Sequence, residues 1–341
     1  SKANELNISF DKRSKIDVIK DYQDNGIQVK PTTHPINYLN NKLFLEDEIL
    51  PLAGISKTLT IYNNENGYFV EYTSDRYGFN NDDTIWDKEK HKFVFVGDSF
   101  VHGAGVRKEE NLISHFFDIT GIKPLNLGIG GNGPLLEYST LIEYLDTNKT
   151  DNLIWFYYEG NDLENLSAEV KSKLLLKYLS DGFSQNLLHK QSDIDKILNR
   201  YISEQEKKYK GNRNNFLVNI LKLRQIRKLF FNNKSNIEYV NFAKILEKVN
   251  QIAKNNEIKL YFVYLPSYER YLNNKKNDKN FKDKEIIINL VNRQKIDIID
   301  IEKEISTNIT NPLDLYPLGL DGHFNNNGNE FIIITIIKNI M

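Results

Sequence analysis

The stretch KFVFVGDS at residues 92–99 decides the fold class. Four apolar residues follow Lys92 without interruption and Gly97 ends the run, which is typical of a strand buried on both faces. Similar runs occur at residues 124–129, 152–158, 258–265 and 295–301. Segments of helical length, 109–119 and 135–145, separate the first three runs. This alternation predicts an α/β fold with a five-stranded, mainly parallel sheet that carries helices on both faces.

Two regions depart from this pattern: the residues before the first run and the long segment between the third and fourth runs. Residues 1–90 contain two short β-like runs, 57–62 and 67–72, with the turn-rich sequence NNENG between them. A long polar segment at about 166–251 carries apolar residues at helical spacing. We therefore predict a β-rich N-terminal elaboration (1–90) packed on a core (91–341). The helical insertion at about 166–251 is expected to form a cap beside the functional site.

The composition excludes several classes of function. The 341 residues include 45 Lys and Arg against 46 Asp and Glu, a net charge of -1, whereas a nucleic-acid-binding protein usually has a basic excess. The chain has no cysteine, which excludes disulfides, zinc–thiolate sites, iron–sulfur clusters and thiol catalysis.

Contact with a membrane is not indicated. No apolar run reaches the roughly 18 residues that a membrane-spanning helix needs. The first residues, SKANELNISFDKRSK, lack the apolar core of a signal peptide. Basic residues between apolar ones at 222–234 favour a solvated helix face over contact with an anionic membrane or an acidic polysaccharide. The sequence leaves the oligomeric state open.

Polar residues that follow the predicted strands form a second pattern. Ligands of an open parallel sheet bind at the carboxyl ends of its strands. Those ends carry Ser99, Gly131, Asn161 and, near the C-terminus, Asp321 and His323. A serine nucleophile needs a histidine to take its proton, and the histidine needs an acid partner. The pattern indicates acyl transfer by Ser99 with His323 as base and Asp321 as its partner. The Ser99 and Gly131 amides and the Asn161 side chain would stabilise the oxyanion.

Four sequence blocks carry a resemblance to a known family. They are Gly97-Asp98-Ser99, Asn126-Leu127-Gly128-Ile129-Gly130-Gly131, Gly160-Asn161-Asp162 and Asp321-Gly322-His323. In this order they resemble the blocks of the SGNH hydrolases, also called the GDSL esterase family, over about residues 74–162 and 258–341. Phe100 replaces the usual leucine. One residue instead of two separates Asp321 from His323, as in polysaccharide O-acetyltransferases and esterases of bacterial envelopes. Asp314 is a weaker candidate than Asp321 for the acid that pairs with His323.

The resemblance implies a flavodoxin-like, three-layer α/β/α sandwich. It also implies a serine esterase that hydrolyses small O-acyl esters, above all acetyl esters on a carbohydrate, through an acyl-serine intermediate. Ser99, His323 and Asp321 would be the catalytic residues, and Ser99, Gly131 and Asn161 the oxyanion donors. No metal or organic cofactor is expected, and the family favours the bacterial cell envelope or periplasm.

Three alternatives remain open. An O-acyltransferase would use the same residues with a sugar hydroxyl as the acceptor in place of water. A non-catalytic module would keep the shape of the site for glycan recognition. A lipid esterase would act at a membrane and would prefer long acyl chains to acetyl.

Structural roles are favoured for other polar residues near these blocks. Asp98 is expected to bond to loop amides. His102 is expected on the first helical turn after Ser99, with a structural role. His34 has no motif context, and the sequence does not decide whether Glu159 faces the pocket or packs.

Overall fold

The computed structural model describes residues 2–39, 49–211, 236–272 and 279–341. These residues form eight strands: β1 (Val29–Pro31), β2 (Leu59–Ile61), β3 (Glu71–Thr73), β4 (His91–Val96), β5 (Leu125–Asn126), β6 (Thr150–Tyr158), β7 (Lys259–Leu265) and β8 (Asp297–Asp300). They also form twelve α-helices: α1 (Lys2–Glu5), α2 (Lys15–Asp24), α3 (Ser99–His102), α4 (Leu112–Thr120), α5 (Pro134–Tyr144), α6 (Asp162–Glu169), α7 (Lys173–Lys177), α8 (Gln191–Gly211), α9 (Asn236–Asn255), α10 (Lys279–Arg293), α11 (Ile301–Asn308) and α12 (Asn326–Ile340).

The central sheet has five strands in the order β5-β4-β6-β7-β8, and every neighbouring pair is parallel. Val94 of β4 pairs with Leu125 on one side and Leu153 on the other, so β4 lies inside the sheet. Strands β4, β6, β7 and β8 begin and end within two residues of the predicted runs. The predicted α/β fold with a five-stranded parallel sheet is confirmed.

Strand β5 is shorter than the predicted run at 124–129, although the Leu127 and Ile129 amides beyond it still donate hydrogen bonds to the Phe95 and Gly97 carbonyl oxygens at 2.8 Å and 3.2 Å. The Asn126 side chain accepts a hydrogen bond from the Gly128 amide at 2.8 Å and donates one to the Val101 carbonyl oxygen at 2.9 Å. These two bonds turn the chain at the carboxyl end of β5. They also join the turn to α3, which follows β4.

The continuous apolar strands supply both faces of the central sheet. On one face, Val94, Val96 and Trp155 belong to a core that includes residues of α5, α6 and α9. On the other face, Phe95 and Phe156 belong to a core that includes residues of α4, α11 and α12. Successive side chains of a strand point to opposite faces, so a strand covered on both faces has no solvated position. The result is the predicted three-layer α/β/α sandwich.

The N-terminal region contains a second sheet of three strands in the order β1-β2-β3. Strands β1 and β2 are parallel, and β2 and β3 are antiparallel. The predicted β-rich elaboration is confirmed, although β2 and β3 are shorter than the runs predicted for them. The sequence did not predict β1, which ends on Pro31, a residue without the amide hydrogen that a ladder requires.

Hydrogen bonds from side-chain amides connect the N-terminal region to residues near the predicted site. Asn80 donates a hydrogen bond to the His102 carbonyl oxygen at 2.9 Å. Asn81 accepts one from the Asn126 amide at 3.0 Å and donates one to the Asn126 carbonyl oxygen at 2.9 Å. The N-terminal region therefore contacts both α3 and the end of β5. The division of the chain at residue 90 stays a prediction.

The predicted insertion is helical over much of its described length. Helix α9 ends shortly before β7 and packs beside α5 and α6. Helix α8 packs towards the N-terminal region, where Asp195 accepts hydrogen bonds from the Ser56 amide at 2.9 Å and hydroxyl at 2.6 Å. A cap beside the site stays a prediction, and the basic segment 222–234 lies outside the described residues. Within the described ranges, no helix is both long and apolar enough to cross a membrane.

Candidate active site

Ser99 lies at the carboxyl end of β4, where it is the first residue of α3. The capping residue of this helix is Asp98, whose carboxylate accepts a hydrogen bond from the Phe100 amide at 3.1 Å. Ser99 Oγ lies 2.7 Å from His323 Nε2 and 3.3 Å from Asp98 Oδ2. The shorter contact joins the predicted nucleophile to the predicted base, although the two residues lie at opposite ends of the core sequence.

His323 is held by a carboxylate at two points. Its Nδ1 lies 2.8 Å from Glu65 Oε1, and its backbone amide donates a hydrogen bond to Glu65 Oε2 at 2.7 Å. An ionised carboxylate only accepts, so Nδ1 carries a proton. In the neutral ring Nε2 then presents a lone pair, which accepts a hydrogen bond from the Ser99 hydroxyl. Ser99, His323 and Glu65 therefore form a hydrogen-bonded line with the polarity that a general base requires.

The predicted pairing of His323 with Asp321 needs correction, because Glu65 occupies the Nδ1 position. Asp321 is exposed to solvent. Asp314, the other candidate, is also exposed and accepts a hydrogen bond from Asn311 at 2.8 Å. A side chain at Gly322 would begin 2.7 Å from Glu65 Oε2, so the segment that carries His323 lies directly against Glu65.

Glu65 reaches His323 from the turn between β2 and β3. Asn63 Nδ2 donates a hydrogen bond to Glu65 Oε1 at 3.0 Å, and Asn63 Oδ1 accepts one from the Gly105 amide at 2.9 Å. Asn66 donates to the Gly105 carbonyl oxygen at 2.6 Å. The turn is thus fastened to the loop that follows α3. The sequence contained one signal for this role, a single acid among the amides of NNENG.

Gly131 and Asn161, the predicted oxyanion donors, lie in the loops after β5 and β6. These strands flank β4, so both loops lie at the same sheet edge as Ser99. Gly131 has a φ of 77°, a left-handed conformation that favours glycine. Among the described residues, the Gly131 amide donates to no backbone carbonyl oxygen, and the Asn161 side chain makes no capping bond to α6. Their role as oxyanion donors stays a prediction.

Two histidines that the sequence left without a functional role hold the turn before Gly131. His34 Nδ1 lies 2.8 Å from the Gly130 carbonyl oxygen, and the Gly130 amide donates a hydrogen bond to His102 Nδ1 at 3.0 Å. His102 Nε2 lies 2.9 Å from the Tyr72 hydroxyl. Burial lowers the pKa of His34 to about 4, and it lowers the pKa of His102 well below the usual histidine range. Both rings are therefore neutral near pH 7.

The low pKa of His34 makes stability depend on pH. The unfolded histidine takes up a proton below its ordinary pKa of 6.5, but the folded one does so only near pH 4. The free energy of unfolding therefore falls as the pH decreases from 6.5 to 4. We expect the stability advantage of the wild type over His34→Asn to shrink by on the order of 2 kcal/mol between pH 7.5 and pH 4.5. Urea unfolding of both proteins at each pH measures this difference, and a constant difference would contradict it.

Glu159 also lies at this sheet edge, and the sequence did not decide whether it faces the pocket or packs. The structure shows that it has a packing role. Glu159 accepts hydrogen bonds from Arg270 Nε at 2.8 Å, the Tyr264 hydroxyl at 2.6 Å and the Ser267 amide at 2.8 Å. It therefore packs and fixes the loop after β7, and does not face the site. Among the described residues, no group of three or more His, Asp or Glu side chains is arranged to hold a metal ion.

Comparison with known proteins gives matches only at the level of structure. No protein-family model matches the chain, and no curated protein does either. The acetyl xylan esterase AlAXEase has a TM-score of 0.43 and 17% identity, over 73% of this chain and 100% of that chain. A lipase/acylhydrolase from Enterococcus faecalis has a TM-score of 0.41 and 14% identity, over 73% and 95%. A two-domain esterase active on acetylated mannans, co-crystallised with mannopentaose, has a TM-score of 0.40 and 10% identity, over 75% and 51%.

The four sequence blocks of the resemblance can be located on this fold. The four sequence blocks lie in the predicted order, and three of them follow neighbouring strands of one parallel sheet. The fourth brings His323 Nε2 to 2.7 Å from Ser99 Oγ. This chain therefore has a three-layer α/β/α fold with a serine–histidine pair at the carboxyl edge of its central sheet, as the resemblance to the SGNH hydrolases led us to expect.

Proposed function

We propose that the protein hydrolyses small O-acyl esters, above all acetyl esters on a carbohydrate, through an acyl-serine intermediate. The observation that carries this proposal is the hydrogen-bonded line from Ser99 through His323 to Glu65, with contacts of 2.7 Å and 2.8 Å. Its protons are distributed so that His323 Nε2 can accept the proton of Ser99. This is the arrangement that activates a serine hydroxyl near neutral pH.

Acylation begins when Ser99 Oγ attacks the ester carbonyl carbon and its proton passes to His323 Nε2. The charge that appears on the carbonyl oxygen is stabilised by the backbone amides of Ser99 and Gly131 and by the Asn161 side chain. Glu65 stabilises the imidazolium that forms beside it. The tetrahedral intermediate then breaks its bond to the alcohol oxygen, which leaves with the proton from His323.

Deacylation repeats these steps with water. His323 Nε2 takes a proton from the water molecule as its oxygen attacks the acyl carbon. The second tetrahedral intermediate breaks its bond to Ser99 Oγ, and the proton on His323 returns to Ser99. The carboxylic acid is released, and the original protonation of all three side chains is restored.

The acyl part of the proposal is supported by the crowding around the nucleophile. Ser99 is only 9% exposed. The Phe100 ring lies 4.8 Å from the His323 ring, and a side chain at Gly131 would begin 3.0 Å from Ile36 Cγ2. The low exposure of the nucleophile and the apolar side chains packed near His323 and Gly131 favour a short acyl group. The carbohydrate part rests on the resemblance of the Asp321-Gly322-His323 block to that of bacterial envelope enzymes.

The test compares p-nitrophenyl acetate with p-nitrophenyl octanoate, using wild type and Ser99→Ala. We expect kcat/KM to be at least about tenfold higher for the acetate, because a tight pocket discriminates against added methylenes. Activity should disappear in the variant. A preference for octanoate would support a lipid esterase and contradict the proposal.

Release of acetate from an acetylated oligosaccharide, with and without an unacetylated oligosaccharide present, separates the remaining alternatives. Acetate release that is independent of the acceptor supports hydrolysis. Acetyl transfer that requires the acceptor would establish an acyltransferase instead. Oligosaccharide binding without turnover would establish a non-catalytic module.

A further inference from the structure

The turn between β5 and α5 contains two consecutive glycines, Gly130 and Gly131, and the peptide that joins them bears on the oxyanion site. In a trans peptide, the carbonyl of one residue and the amide hydrogen of the next point in opposite directions. The Gly130 carbonyl oxygen points at His34 Nδ1, at 2.8 Å. The Gly131 amide hydrogen must therefore point away from His34.

Glycines on both sides of a peptide leave it free to rotate, because neither residue has a Cβ that restricts its φ and ψ angles. A rotation by half a turn would aim the Gly130 carbonyl oxygen, in place of the Gly131 amide, at the oxyanion. A carbonyl oxygen there would repel the developing negative charge. Something in the protein has to select one of the two orientations.

We propose that His34 is a positioning residue, which holds the Gly130 carbonyl so that the Gly131 amide faces the oxyanion of the tetrahedral intermediate. This inference rests on the proposed function. His34 belongs to the N-terminal region, and its Nδ1 hydrogen donates to the Gly130 carbonyl oxygen. The Gly130 amide, on the other side of this residue, donates a hydrogen bond to His102 Nδ1 at 3.0 Å.

The groups around His34 are consistent with a fixed, neutral donor. The His34 ring lies 5.6 Å from the Tyr62 ring and 6.4 Å from the His102 ring, centroid to centroid. Lys15 lies near Tyr62 and His34, and its Nζ is 6.0 Å from the Tyr62 ring centroid. The positive charge of Lys15 disfavours a second proton on His34. The His34 ring also packs directly against Gly130, where a side chain would begin 2.9 Å from His34 Nδ1.

Asparagine and leucine at position 34 form a matched pair for the test. The Asn side-chain nitrogen stands the same number of bonds from Cα as His Nδ1 and can donate to the same carbonyl. Leu has nearly the shape of Asn but has no donor. We expect His34→Leu to lower kcat for p-nitrophenyl acetate by about 10- to 100-fold, with KM within about threefold. His34→Asn should keep kcat within about threefold of wild type.

A boronic acid inhibitor supplies a readout that a purely structural role would not change. It forms a tetrahedral, anionic adduct with a nucleophilic serine and so resembles the transition state. Its dissociation constant should rise by about 10- to 100-fold in His34→Leu and by less than about threefold in His34→Asn. Urea unfolding at pH 7.5 shows whether each variant is folded.

Equal loss of activity in the two variants, or wild-type activity in a folded His34→Leu, would overturn the inference. So would a loss confined to KM, because it would indicate a role in substrate binding alone. Failure of the proposed function gives a different result, since wild type itself would neither turn over the ester nor bind the boronic acid.

Discussion

Replacing Glu65 by glutamine should lower kcat for p-nitrophenyl acetate by about 10²- to 10⁴-fold, whereas Asp321→Asn should change it by less than about threefold. The reason is the pair of contacts from Glu65 to the Nδ1 and the backbone amide of His323. Glutamine keeps the size of the side chain but removes the charge that stabilises the imidazolium. Steady-state kinetics at pH 7.5 measures both effects.

Two further variants make this comparison sharper. Glu65→Asp keeps the charge but shortens the side chain by one methylene, so it should fall between wild type and Glu65→Gln. Asp314→Asn removes the other acid that the sequence suggested and should behave like Asp321→Asn. A large loss in Asp321→Asn with little loss in Glu65→Gln would restore the original prediction and contradict the role of Glu65.

Replacing Ser99 by alanine should lower kcat by about 10⁶-fold, because without the hydroxyl no acyl-enzyme can form. A fluorophosphonate should label wild type at Ser99, as read by peptide mass spectrometry, and should not label the variant. The fold should survive, because the Ser99 side chain bonds only to His323 and Asp98 among the described residues. Measurable turnover by the variant, or label at another residue, would show that a different group is the nucleophile.

Periodicity predicted the central sheet well, for a physical reason that particular strands illustrate. Strand β6 (Thr150–Tyr158) is apolar along most of its length because both of its faces are covered, and this is visible in the sequence. The run predicted for β5 is longer than the strand, although the Leu127 and Ile129 amides beyond the strand still bond to the neighbouring chain. The side-chain bonds of Asn126 at this point are not revealed by any local pattern. Strand β1 is three residues long and carries too little periodicity to be recognised.

The site was predictable where its residues occur in sequence blocks at strand ends. Ser99 and His323 were predicted in this way as nucleophile and base. The structure brings their side chains into contact, and their catalytic roles stay predictions. Glu65 was not found, because it lies 258 residues before His323 and approaches it from another sheet. Proximity of this kind is created by tertiary packing. A lone acid in a turn is common on protein surfaces, so its position along the chain does not distinguish a catalytic carboxylate from a solvated one.

The two contacts that the sequence missed have a common origin. Glu65 and His34 both belong to the N-terminal region, which the sequence suggested was an elaboration outside the resemblance. Glu65 contacts His323, the proposed general base, and His34 contacts the turn that carries Gly131. Catalysis is therefore expected to depend on this region as much as on the four recognised blocks.

The contact between His323 and Glu65 is the central feature of this account, and proton NMR tests it directly. A histidine Nδ1 proton that is bonded to a carboxylate resonates far downfield, apart from the other protons of a protein. We predict such a resonance in wild type at pH 7.5, its loss in His323→Gln, its loss or a large upfield shift in Glu65→Gln, and its persistence in Asp321→Asn. A resonance that is unchanged in Glu65→Gln but lost in Asp321→Asn would contradict the account.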